Sequence, residues 1–207
     1  MSGPETHHLA RYHLPKAHGR RIGLFGGSFN PAHQGHREIA LFALKTLQLD
    51  AIWWLVALQN PLKTTRDRDD FSERLQSTKI MARHPRFLVS DVEKHLNSRC
   101  TADSLKALKP LLKQGKFIWI MGADSFASLH LWQRWREIPQ TLPIAVLDRP
   151  GFGLKALQSP AARYLAKKRI LARNAKHLAE TKAPAWVFLR LPLRQESSTA
   201  IRKARQS

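Results

Sequence analysis

Apolar residues in this chain fall into short continuous runs separated by amphipathic stretches. Residues 21–27 (RIGLFGG), 51–58 (AIWWLVAL), 117–121 (FIWIM) and 143–147 (PIAVL) are runs of strand length, closed by Gly, Pro or Asp. That is the pattern of strands buried on both faces. Between them apolar positions recur at helical spacing. Ile39, Phe42, Ala43 and Leu47 predict a helix within 33–49. Phe71, Leu75 and Ile80 are predicted inward on a helix over 71–81 that has Ser72 near its start. Residues 87–89 predict a short strand and 186–191 another. Asp103 or Thr101 is expected to cap a helix running to Leu112. Residues 161–179 predict a basic helix, and 198–205 a terminal helix with Ser197 or Ser198 as its cap. Strands alternating with helices imply an α/β fold, a doubly wound Rossmann-like parallel sheet with helices on both faces and a small C-terminal helical extension.

The organisation expected is a single domain over 21–207. Residues 21–150 form its α/β core and 151–207 a basic C-terminal part. Residues 1–20 lack any period and predict a disordered basic tail in which four scattered histidines show no metal-ligand pairing. With 207 residues and 43% hydrophobic content the chain can build a core, so a wholly disordered protein is excluded. Charge changes the picture more. Lys and Arg number 35 against 15 Asp and Glu, a formal net charge of +20. Such an excess favours anionic partners: nucleotides, nucleic acid or an anionic membrane surface. Residues 151–207 contain only two acids, Glu180 and Glu196. The lone Cys100 excludes an internal disulfide framework and a Cys-based zinc site. No apolar run approaches the roughly 20 residues of a membrane span and the start lacks a secretory signal, so a cytoplasmic location is expected.

Ligands of open α/β sheets bind beyond the carboxyl ends of the strands. There, after the first strand, stands Gly26-Gly27-Ser28-Phe29-Asn30-Pro31-Ala32-His33-Gln34-Gly35-His36. Paired glycines would let a phosphate approach the backbone, and the start of the next helix offers N–H groups and a positive dipole end. His33 and His36, at i and i+3, share a face of its first turn. Competing readings are a surface histidine pair, glycines serving only the turn, and two ligands of a zinc site. Neither a Walker A sequence nor G-x-G-x-x-G is present.

The segment G-G-S-F-N-P-A-H-Q-G-H resembles the signature of the HxGH nucleotidyltransferase superfamily. More narrowly, the chain resembles the bacterial nicotinate-nucleotide adenylyltransferase family. Further matches are Asn60-Pro-Leu-Lys63, Ser90-Asp-Val-Glu93, residues 101–105, Met121-Gly-Ala-Asp-Ser125, Trp132, Arg149-Pro-Gly151 and Ser197-Ser-Thr-Ala-Ile-Arg202. The resemblance implies attack by the 5′-phosphate of nicotinate mononucleotide on the α-phosphorus of ATP, giving nicotinate adenine dinucleotide and pyrophosphate. His33, His36, Lys63 and Arg202 are then the expected catalytic set, cations that neutralise two polyanions. Gly26, Phe29, His33, His36, Gly122, Asp124, Ser198, Thr199 and Arg202 would contact ATP, with Asp124 on its ribose hydroxyls. Gly27, Ser28, Asn30, Lys63, Thr101, Trp132 and Arg149 would contact the mononucleotide. Trp132 would stack on the pyridine ring, and Thr101 would meet the carboxylate. Mg²⁺ is expected to bind through ATP phosphates and water, with no direct protein ligand. ATP and nicotinate mononucleotide are the partners implied, with neither membrane nor specific nucleic acid, and a homo-oligomer is compatible with the reading. Cys100 stands where the family usually has Tyr, and Glu196 replaces a common apolar residue.

On the residues alone, several of these positions admit plainer readings. Lys63 could be an ordinary loop lysine, Asp124 a helix cap, Trp132 a core residue, and Ser198 with Thr199 a simple cap beside an exposed Arg202. Other acceptors on the same scaffold would be nicotinamide mononucleotide, phosphopantetheine or a cytidylyl acceptor. A basic nucleic-acid-binding protein is the alternative of a different class, although the chain shows no RNP-like aromatic pattern and no zinc-finger spacing.

Overall fold

The computed structural model describes residues 14–58, 70–96 and 100–191. Among them β1 (Arg21–Gly27), β2 (Ala51–Val56), β3 (Phe87–Ser90), β4 (Lys116–Gly122), β5 (Ile144–Leu147), β6 (Arg169–Ile170) and β7 (Trp186–Leu189) form one sheet. Their order is β3-β2-β1-β4-β5-β7-β6, and every neighbouring pair is parallel. The chain therefore winds outward from β1 in both directions. No helix among the described residues is long and apolar enough to cross a membrane.

Side-chain alternation divides the core into two layers. Ile22, Leu24, Trp53, Trp119 and Trp186 face one side. They are covered there by α4 (Thr101–Ala107), α5 (Lys109–Leu112), α6 (Ala123–Ala127), α7 (Glu137–Thr141), α8 (Gly153–Leu157) and α9 (Pro160–Tyr164). Phe25, Ile52, Trp54, Ile118 and Ile120 face the other side, under α1 (Gln34–Thr46) and α2 (Phe71–Met81). Trp53, Trp54, Trp119 and Trp186 are all fully buried, and each such ring removes roughly 150–250 Å² from water. The centre of the sheet is thus an aromatic slab, and the whole of β2 is buried as its continuous apolar run predicts.

Several expected elements differ, each for a physical reason. The predicted basic helix over 161–179 is divided: α9, a 3-10 turn Ala166–Lys168, strand β6, and 3-10 turns over Ala172–Glu180. Arg169 and Ile170 pair with Trp186 and Val187, supplying backbone partners that buried β7 would otherwise lack. The sheet consequently extends well past residue 150. The helix predicted to run to Leu112 breaks at Leu108 because Pro110 has no N–H to continue it. Neither Thr101 nor Asp103 caps it: the N-cap is Cys100, which makes no side-chain cap bond. In α2 the cap is Asp70, whose carboxylate accepts the Ser72 N–H, and Ile80 is 55% exposed rather than inward, while Arg74 and Thr78 turn inward. The buried stripe runs 71, 74, 75, 78, and Ile80 lies off it. Residues 14–20, placed in the expected tail, pack on the fold: Ala17 is fully buried and the Gly19 N–H donates to the Gln114 carbonyl at 3.1 Å. The terminal helix predicted for 198–205 lies outside the described residues.

Candidate active site

β1 ends at Gly27 and its neighbour β4 at Gly122, where the winding direction reverses, the place at which open α/β sheets bind ligands. A Cβ on Gly26 would collide with the Trp119 indole, and one on Gly27 would lie 3.0 Å from the Phe29 ring. Both glycines therefore make room for aromatic packing. Phe29, with φ +43°, is buried, and its ring lies 5.3 Å from Phe25, 5.1 Å from Trp54 and 5.2 Å edge-on from His36. These contacts hold a left-handed residue that would otherwise be strained. Asn30 is buried, and the Asn30–Pro31 peptide is cis.

The chain then enters α1 through a cap built from two imidazoles. The Gly35 N–H donates to His33 Nδ1 at 3.1 Å, and the His33 N–H donates to His36 Nδ1 at 3.2 Å. This is a capping box in which histidines replace the usual Ser and Glu. Two amides expected to face a phosphate are thus already taken by imidazoles. An accepting Nδ1 puts the ring proton on Nε2, so each imidazole presents an Nε2–H in place of the amide it occupies. The two rings lie 3.9 Å apart between centroids. His33 is 4% exposed, and its Nε2 has no hydrogen-bond partner among the described residues. Burial lowers the His33 pKa to about 4, helped by the nearby Arg149 charge and opposed by Asp124. In the free protein at neutral pH His33 is therefore a neutral donor.

Asp124 and Arg149, expected on different substrates, meet directly. Arg149 Nη1 donates to Asp124 Oδ2 at 2.5 Å, with both side chains largely covered. Asp124 stands in the first turn of α6, whose N-cap is Gly122, and a Cβ on Gly122 would collide with Asp124 Oδ1. The Arg149 N–H donates to Asp148 Oδ1 at 2.8 Å. The ion pair lies beside His33 at the ends of β4 and β5, so it joins the same site. Among the described residues these groups set one buried neutral donor beside one internally compensated ion pair.

Thr101 and Trp132 stand on two segments that an ion pair joins. Thr101 opens α4, and Trp132 follows a 3-10 turn, Leu129–Leu131, packed partly against the core. Arg134, at φ +54°, links them by ion pairs to Asp103 of α4 and to Glu137 Oε2, the latter at 2.6 Å. The Cys100 thiol donates to Asp103 Oδ2 at 3.2 Å, and burial pushes its pKa up, so it is held as a thiol. Lys63, Ser198, Thr199 and Arg202 lie outside the described residues.

Sequence reading assigned no role to three buried polar residues that brace this site. Arg74 Nη1 donates to the carbonyls of Ser28 and Ala57 at 2.7 and 2.9 Å, and its Nη2 to that of Leu58 at 3.2 Å. Glu93, in the first turn of α3 (Val92–Leu96), accepts the Leu58 N–H at 3.3 Å and the Ser104 hydroxyl at 3.2 Å. Desolvation raises the Glu93 pKa to about 7 against its bonds to Leu58 and Ser104 and the Arg74 charge. One available signal was an arginine on the buried stripe of α2.

Comparison with known proteins follows from this geometry. The profile of the cytidylyltransferase-like family matches residues 24–204. A protein of Parvibaculum lavamentivorans named "Probable nicotinate-nucleotide adenylyltransferase" is 49% identical over 89% of this chain and 92% of its own. One of the same name from Roseobacter denitrificans is 46% identical over 93% of this chain and 96% of its own. Among solved structures, the Plasmodium falciparum nicotinic acid mononucleotide adenylyltransferase complexed with NaAD superposes with a TM-score of 0.67. It is 18% identical and covers 89% of this chain and 83% of its own, a likeness of fold.

Proposed function

This chain belongs to the nicotinate-nucleotide adenylyltransferase family, within the cytidylyltransferase-like proteins, and from that premise we propose how its residues join nicotinate mononucleotide to the adenylyl group of ATP. The 5′-phosphate oxygen of the mononucleotide forms a bond to the α-phosphorus as the bond from that phosphorus to the β-bridging oxygen breaks. Pyrophosphate leaves, and no covalent enzyme intermediate or proton acceptor is needed. The protein's task is alignment and stabilisation of phosphate charge.

The observation that carries this reading is the imidazole cap of α1. His33 holds a desolvated donor without a hydrogen-bond partner among the described residues, and such a group is costly to bury unless a ligand satisfies it. A triphosphate oxygen is its natural acceptor. His36, on the same turn, donates to the α-phosphate, where charge builds in the transition state. Phe29 holds the imidazole edge-on, and Gly26 and Gly27 allow the aromatic packing beneath it. Gly122 and Asp124 face the ATP ribose, and Arg149 both fixes the Asp124 carboxylate and faces the mononucleotide phosphate with Ser28 and Asn30. Thr101 and Trp132 serve the pyridine end. Lys63, Ser198, Thr199 and Arg202 supply the remaining phosphate contacts. Mg²⁺ enters with ATP, held by phosphate oxygens and water.

Pyrophosphate release measured with ATP and each acceptor separately tests the proposal. Rapid turnover with nicotinate mononucleotide and much slower turnover with nicotinamide mononucleotide, phosphopantetheine and cytidylyl acceptors is expected. Preference for any of these others, or no release, overturns it.

A further inference from the structure

The Leu58 peptide is held on both sides by buried charged side chains from different helices. Its carbonyl accepts from Arg74 of α2, and its N–H donates to Glu93 of α3. Arg74 and Glu93 are 5% and 7% exposed. Arg74 continues to the Ser28 carbonyl beyond β1, and Glu93 to Ser104, which lies three residues beyond Thr101 on α4. Three segments assigned to the mononucleotide thus share one hydrogen-bonded chain: the turn at Ser28, the loop leaving β2, and the start of α4. The capping bonds of the imidazoles involve none of these residues.

We propose that Arg74 and Glu93 are positioning residues for the mononucleotide half of the site, setting the separation of its three segments by clasping the Leu58 peptide. The inference rests on the proposed activity and assigns neither residue a contact with substrate. Burying charged groups gains little net stability over an apolar pair. Their use here is geometric: a planar guanidinium spans three carbonyls that a lysine cannot reach together, and a carboxylate accepts from two donors at once.

Steady-state kinetics with each substrate varied in turn test it, with melting temperatures recorded for every variant. Arg74→Lys and Glu93→Ala are expected to raise KM for nicotinate mononucleotide about tenfold, the loss of a bond to a charged group, while KM for ATP stays within about twofold. Glu93→Gln can still accept from Leu58 and donate to the Ser104 hydroxyl, so it should recover most of that loss. Ser104→Ala removes one bond and should show the same split at about threefold; it carries the test if Arg74→Lys fails to fold. Both KM values rising together, unchanged KM values, or no recovery by Glu93→Gln would overturn the inference. The unaltered chain distinguishes the two levels: no transfer by it overturns the proposed activity, whereas transfer with an unsplit KM overturns the inference alone.

Discussion

The proposed phosphate end and the proposed pyridine end of the site are built on different principles. At the proposed phosphate end the consecutive residues from Gly26 to His36 build the imidazole cap: β1 stops, two glycines admit aromatic rings, Phe29 turns back, and two imidazoles cap the next helix. At the pyridine end Thr101 and Trp132 come from distant segments held by ion pairs of the partly exposed Arg134. Buried neutral bonds are insensitive to salt, and exposed ion pairs are screened by it. The first end is thus a rigid, preorganised donor array, while the second is adjustable.

The contrast can be broken at several points. His36→Ala should lower turnover by roughly 10²–10³-fold, the effect of losing one electrostatic donor; near-normal kcat would remove His36 from the reaction. His33→Asn keeps an oxygen able to accept the Gly35 N–H but withdraws the Nε2 donor. Turnover should fall about 10²-fold with the melting temperature nearly unchanged, whereas His33→Ala should also lose the cap, about 1 kcal/mol. Equal stability of the two variants would show that capping is not the role of Nδ1.

Stability sharpens the comparison further. Gly26→Ala forces a methyl group into the Trp119 ring and should destabilise by about 1–3 kcal/mol in urea unfolding. Acidity separates His33 from the brace. The His33 pKa is lowered from 6.5 to about 4, so its contribution to stability is full above pH 6.5 and is lost as pH falls to about 4. Glu93 is raised from 4.5 to about 7, so its contribution is full below pH 4.5 and is lost as pH rises to about 7. The two slopes oppose each other between pH 4.5 and 6.5. Urea midpoints across that range should rise more steeply with pH in Glu93→Gln and less steeply in His33→Asn; the reverse order would refute both shifts. The smallest effect belongs to the pyridine end. Arg134→Ala should raise KM for the mononucleotide less than about threefold, and added salt should erase the difference from the parent.

The same division governs what could be read from sequence. Strands β1, β2, β4 and β5 are legible because burial on both faces makes them uninterrupted apolar runs. The motif from Gly26 to His36 is legible because its contacts are local. Its electrostatics were not: identifying His33 as a neutral donor required knowing that the fold buries its imidazole, with Arg149, far away in sequence, beside it as the lesser cause. The brace escaped because an arginine and a glutamate look like surface residues until their carbonyl and amide partners are known. Residues 161–179 misled because alanines and lysines favour helix locally, while the need of β7 for a partner overrode that preference.

The most direct test of the account is the ¹⁵N spectrum of the His33 imidazole, titrated in the free protein and again with a non-hydrolysable ATP analogue. The account requires the proton on Nε2, titration near pH 4 in the free protein, a higher pKa once the phosphates are bound, and an Nε2–H shifted by the analogue. A proton on Nδ1, titration near 6.5, or a ring indifferent to the analogue would contradict it.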